Sequence, residues 1–159
     1  MHVITRIEEV RNEIASLATT ASTPKELMQL VCKILHDRML KYNWVGFYML
    51  EPGTQPPVLI LETFVGAMTP HTRIPLNQGI CGAAASSGKT IVVDDVSKDP
   101  RYLACSLETK SEIVVPIFVN GQVAGELDID SHFSAAFGSQ DQNLVQYCAE
   151  VVGKRLEKS

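Results

Sequence analysis

The sequence predicts an α+β domain: a central, mainly antiparallel sheet of about six strands, with the N- and C-terminal helices packed on one face. Three observations lead there. Apolar residues recur at helical spacing near the two ends, at Ile4, Ile7, Val10, Ile14 and Leu17, at Leu27, Leu30, Val31, Ile34 and Leu35, and at Leu144, Val145, Cys148, Val151 and Val152. Between the ends lie short β-branched and aromatic runs bounded by turn residues. Two of those runs flank Asn120-Gly121, the strongest short-range hairpin signal. Strands in series with helices gathered at the termini make an α+β domain.

The elements follow in order. Residues 4–18 form a first amphipathic helix with Glu8, Glu9, Arg11 and Glu13 outside. Thr23 caps the second, Pro24 suits its first position, and Glu26 completes a capping box. Trp44–Leu50 and 58–66 read as strands, and 72–76 as a short extended piece. The small-residue run Gly79–Ser87 reads as a short helix lying close on a sheet. A strand over 90–95 precedes a long loop, 96–110, and loops of that length in a compact domain tend to carry function. Ser111–Val119 and 122–130 form the hairpin. Ser139 opens the last helix, with Gln142 in the capping-box position.

Composition narrows the function. The chain has 159 residues, 45% of them hydrophobic and 20% charged, with a formal net charge of −4. That length fits one domain, and an acidic balance argues against nucleic acid as a partner, since phosphate contacts need clustered Lys and Arg. No uncharged apolar stretch reaches the roughly 18 residues of a membrane span, so no membrane partner is expected. The N-terminal residues do not form a signal peptide. The expected location is the cytoplasm, where the four cysteines, Cys32, Cys81, Cys105 and Cys148, are reduced at rest. Their spacing fits neither a CxxC pair nor a zinc site, so no metal is expected.

The chemistry-bearing residues cluster late in the chain. Glu126, Asp128 and Asp130 alternate with Leu127 and Ile129, so the three acids share one strand face. Such a face is ordinarily solvated. On a sheet that holds a pocket, crowded acids repel one another, and at least one then keeps its proton near neutral pH. Glu112 opens the partner strand. A strict two-residue turn pairs Val119 with Gln122 and Glu112 with Ile129, which puts Glu112 on the wrong face; a bulge near Pro116 or an odd turn restores the shared face. The sequence leaves both open. Cys105 is a loop thiol seven residues before Glu112. Cys81 stands between Gly79 and Gly82, where backbone can approach closely, whereas Cys32 and Cys148 fall on apolar helix stripes and read as core. His36 and His71 have no evident partner and default to the surface. Trp44 and Tyr48 share a strand face and, with Phe47, form a region able to contact a sulfur-bearing group.

Taken as a set, Asn-Trp-Val-Gly-Phe-Tyr (43–48), Arg-Ile-Pro (73–75), Gly-Ile-Cys-Gly (79–82), Ser-Glu-Ile-Val-Val-Pro (111–116) and Leu-Asp-Ile-Asp-Ser (127–131) resemble the free methionine-(R)-sulfoxide reductases, which are GAF domains. The likeness runs from about residue 40 to residue 140 and implies a single GAF domain over 1–159, with N-terminal helices in 1–41, sheet and pocket loops in 42–138 and a final helix in 139–159. It also implies a reductase-type oxidoreductase acting on free methionine sulfoxide. Cys105 stands at the nucleophile's position. Glu112, Asp128 and Asp130 match the carboxylates that hold the substrate ammonium and assist proton transfer. Trp44 matches the wall around the sulfoxide methyl, with Tyr48 beside it, and Cys81 matches a second cysteine. No bound cofactor is implied; an external, thioredoxin-like thiol reductant is, and so is a homodimer. One departure is clear: the resolving cysteine usual ten residues before the Cys81 position is His71 here. Cys81 becomes the candidate resolving thiol. The alternative is a binding-only sensor that does no chemistry on its small molecule.

Overall fold

The helix starts are set by side-chain caps. In the computed structural model, which describes residues 5–103 and 107–158, Thr5 accepts a bond from the Glu8 amide and Thr23 from the Glu26 amide. These caps open α1 (Arg6–Thr20) and α2 (Pro24–Arg38). The chain continues through β1 (Trp44–Leu50), β2 (Val58–Val65), β3 (Arg73–Pro75), α3 (Gly79–Ser87) and β4 (Ile91–Val93). A 3₁₀ turn, Val96–Lys98, opens the expected long loop; then come β5 (Ser111–Val119), β6 (Gln122–Ser131) and α4 (Ser139–Glu157).

The six strands form one sheet in the order β3-β2-β1-β6-β5-β4, and every neighbouring pair is antiparallel. Strand alternation divides the core in two. On one face Val45, Phe47, Ile113, Ile117, Leu127 and Ile129 pack under α1, α2 and α4. On the other, Trp44, Tyr48, Leu59 and Val114 pack against α3. The terminal helices thus share a face, as expected, and α3 packs on the opposite one, together with Val96, Tyr102 and Leu103.

Two local readings are corrected. Phe47 belongs to the helix-side core, so it does not join Trp44 and Tyr48; successive strand residues point to opposite faces. The α4 cap is Gly138, one residue earlier than read, which makes Asp141 the third helical residue. Its Oδ2 accepts from the Gly138 amide at 3.1 Å, while Gln142 Nε2 donates to the Phe137 carbonyl. The segment before α4 is pinned from below: Ser111 Oγ donates to the Phe133 carbonyl at 2.6 Å and accepts from the Ala136 amide.

Candidate functional site

The site is built at the centre of the sheet, where β6 lies between β1 and β5. Glu126 and Asp128 project from β6 toward Cys81 of α3 and Asp130 lies on the same strand face, while Leu127 and Ile129 enter the helix-side core. The neighbouring ladder fixes what surrounds them. On β5, Glu112 pairs with Asp130, Val114 with Asp128 and Pro116 with Glu126. On β1, Trp44 pairs with Asp130, Gly46 with Asp128 and Tyr48 with Glu126. Residues directly opposite one another share a face, so four acids and two aromatic rings converge.

The shared face depends on one extra residue. The hairpin does pair Val119 with Gln122 and Phe118 with Val123, but Ile117 then pairs with Gly125. Ala124 is therefore bulged out of the ladder, and the register beyond it shifts by one. This settles the question left by the sequence: Glu112 meets Asp130 and not Ile129.

All four carboxyl groups are buried, at 5% exposure for Glu112, 0% for Glu126, 4% for Asp128 and 3% for Asp130. Burial is the first cause that lifts each above the ordinary carboxylate range. Glu112 is raised further by the charges of Asp128 and Asp130, and Asp130 by Asp128. Asp128 differs. Against its burial, Glu112 and the Cys81 thiol donate toward it, and Cys81 Sγ lies 3.3 Å from Asp128 Oδ2. Asp128 is thus the acid best placed to ionise, whereas every influence on Glu112 favours its protonated form. The Cys81 thiol, itself buried, is pushed well above its ordinary value by burial and then by Asp128, Glu126 and Glu112. Glu126 lies near that thiol, but neither of its oxygens has a well-formed hydrogen bond among the described residues.

Trp44 closes one end of the strip. Its indole donates to the Ala67 carbonyl at 3.0 Å and stacks on Phe64 at 5.6 Å between centroids. Gly46 makes room for it: a Cβ there would come within 2.3 Å of the indole ring. Tyr48, 1% exposed, donates its hydroxyl to the His71 carbonyl at 2.7 Å. Two small hollows flank the acids. One, about 90 Å³, is lined by Asn43, Trp44, Thr69, Thr109, Asp130 and His132 among others. The other, about 20 Å³, includes Tyr48, His71, Cys81, Leu103, Glu112 and Asp128. Larger hollows of about 430 and 470 Å³ lie against α4 and beside α3, and none of the four strip acids lines them.

Cys105 falls outside the described residues. The described chain on either side of it borders the site: Leu103 lines the smaller hollow and Thr109 the larger. Cys32 and Cys148 sit in the helix-side core, as their stripes indicated. His36 is half-buried and contacts Asp37. His71 does not stay at the surface. It is half-buried and lines the smaller hollow with Cys81, because the Tyr48 hydroxyl holds its carbonyl there. Glu126 received no role from the sequence, although its place in the alternating run was the available signal.

A curled antiparallel sheet with helices on both sides and a pocket under a small-residue helix is the architecture of a small-molecule-binding domain. The GAF domain family model matches residues 23–156, and the chain belongs to that family. Within it, the chain belongs with the free methionine-R-sulfoxide reductases. It is 36% identical to the free methionine-R-sulfoxide reductase of Escherichia coli over 140 residues, 87% of this chain and 77% of that protein. The reductase of Neisseria meningitidis, solved in complex with its substrate, superposes with a TM-score of 0.88 at 34% identity, covering 95% of this chain and 88% of that one. A Staphylococcus aureus reductase, also solved with substrate, gives a TM-score of 0.85 at 32% identity over 98% and 99% of the two chains. Among the described residues, no helix is long and apolar enough to cross a membrane.

Proposed function

We propose that this chain reduces free methionine-(R)-sulfoxide to methionine with Cys105 as the nucleophile. The observation that carries the reading is the buried strip of Glu112, Asp128 and Asp130 with Trp44 at its edge. Support comes from relatives with that activity in their names, two of them solved with substrate.

The residues divide the work by protonation. Asp128, the most readily ionised acid, grips the substrate ammonium with Asp130. A buried ammonium needs such pairing, because leaving it unpaired costs several kcal/mol. That demand selects the free amino acid over a residue within a peptide. Glu112, which keeps its proton, serves the sulfoxide oxygen, since sulfur becomes electrophilic only when its oxygen is protonated or strongly hydrogen-bonded. Trp44 and Tyr48 wall the apolar end. The Cys105 thiolate attacks sulfur, the oxygen passes to Cys105 as a sulfenic acid, and methionine leaves. Two thiol equivalents then return Cys105 to its thiol, forming one disulfide and one water. Cys81 supplies one of these thiols, or an external thioredoxin-like dithiol supplies both. His71 occupies the position at which a resolving cysteine is usual, so the recycling step is where this chain departs from its family. The binding-only alternative is not favoured beside relatives named as reductases.

The test is turnover of free methionine-(R)-sulfoxide with dithiothreitol. The wild-type chain forms methionine and the Cys105→Ser variant does not. Equal product from the two defeats the assignment of Cys105.

A further inference from the structure

Cys81, Glu112 and Asp128 bring together more potential ligand atoms than an amino group requires. One ligand atom from each lies within 4.8 Å of the others, and all three residues are buried. Cys81 Sγ and Asp128 Oδ2 are already 3.3 Å apart. A tetrahedral ion with bonds of about 2.0–2.3 Å needs its ligand atoms roughly 3.5 Å from one another, so little movement is required. A second observation points the same way. Asp128 Oδ1 is buried without a hydrogen-bond partner among the described residues. Asp128 also faces, with Cys81 and Glu112, a hollow of about 20 Å³, which is the size for one water or one ion. One thiolate with two carboxylates is a donor set for a borderline-soft cation, unlike the all-oxygen shells that suit magnesium or calcium.

We propose that Cys81, Glu112 and Asp128 form a binding site for a borderline-soft divalent cation of the zinc class. The ion replaces the thiol proton and any carboxyl proton, which are released to solvent. It fills the end of the pocket where the proposed function places the substrate ammonium, so ion and substrate exclude one another. The binding itself does not rest on that function.

The probe is cadmium titrated into the Cys105→Ser protein, which removes both the loop thiol and the proposed turnover. One equivalent develops a thiolate-to-cadmium charge-transfer band and raises the thermal midpoint. Cys81→Ser on that background abolishes both signals, and Asp128→Asn weakens binding by about tenfold or more. No band in the Cys105→Ser protein overturns the site. So does a band that survives Cys81→Ser, or an affinity unchanged by Asp128→Asn. Turnover by the wild-type chain is measured separately, so failure of the site leaves the proposed reduction standing, and the reverse also holds.

Discussion

Glu112 stands directly opposite Asp130 across the β5–β6 ladder, and a single bulged residue, Ala124, puts it there. Without the bulge the hairpin count directs Glu112 into the helix-side core beside Ile129. Deleting Ala124 tests this. With residue 124 removed, a regular ladder from Val119–Gln122 still sets Ile117 against Gly125 and Glu112 against Asp130, so the variant is expected to fold and to keep turnover. Denaturant unfolding and a turnover assay measure it. A variant that fails to fold or loses turnover contradicts the register.

Gly46 and Trp44 are matched in the same way. The indole is held by Phe64 and the Ala67 carbonyl, so it cannot swing aside freely when a methyl group arrives. Gly46→Ala is expected to cost about 1–3 kcal/mol from overpacking and to change the emission of the single tryptophan. Unchanged fluorescence and stability contradict the contact.

Much of this arrangement was legible in the sequence, and the exceptions have physical reasons. Trp44–Leu50 and Gly79–Ser87 were readable to the residue, because an aromatic strand and a small-residue helix each leave a clear pattern between turn signals. The alternation of Glu126, Asp128 and Asp130 gave their shared face. The bulge did not show, because Asn120-Gly121 fixes the turn but says nothing about the ladder beyond Phe118. His71 lies in a segment with no period, and what holds it is a hydroxyl from a distant strand. The α4 cap was misread by one residue because Ser139, a good capping residue, follows the Gly138 that caps.

Stability should depend on pH through the buried acids. Folding raises the values of Glu126, Glu112, Asp128 and Asp130, mainly through burial, so the folded chain binds more protons than the unfolded one above about pH 4. Their stabilising contribution is complete below that range and is lost as pH rises toward the folded values. The groups that face Glu126 are Cys81 from α3 and Asp128 from its own strand; Glu112, across on β5, faces Asp128 and Asp130. Among the described residues, no cationic side chain is among the charges acting on these four acids. Glu126→Gln is therefore expected to flatten the slope, with little change near pH 4 and a gain that grows from there toward pH 8. Denaturant unfolding at the two pH values measures it, and parallel pH profiles for variant and wild type contradict it.

The proposed reduction turns on a reactive sulfur at residue 105 meeting a sulfoxide held by Glu112, Asp128 and Asp130. Mass spectrometry of the protein after one equivalent of free methionine-(R)-sulfoxide tests that most directly. The expected result is one methionine formed, with Cys105 recovered as a sulfenic acid or in a disulfide. An untouched Cys105 thiol beside unreacted sulfoxide contradicts it.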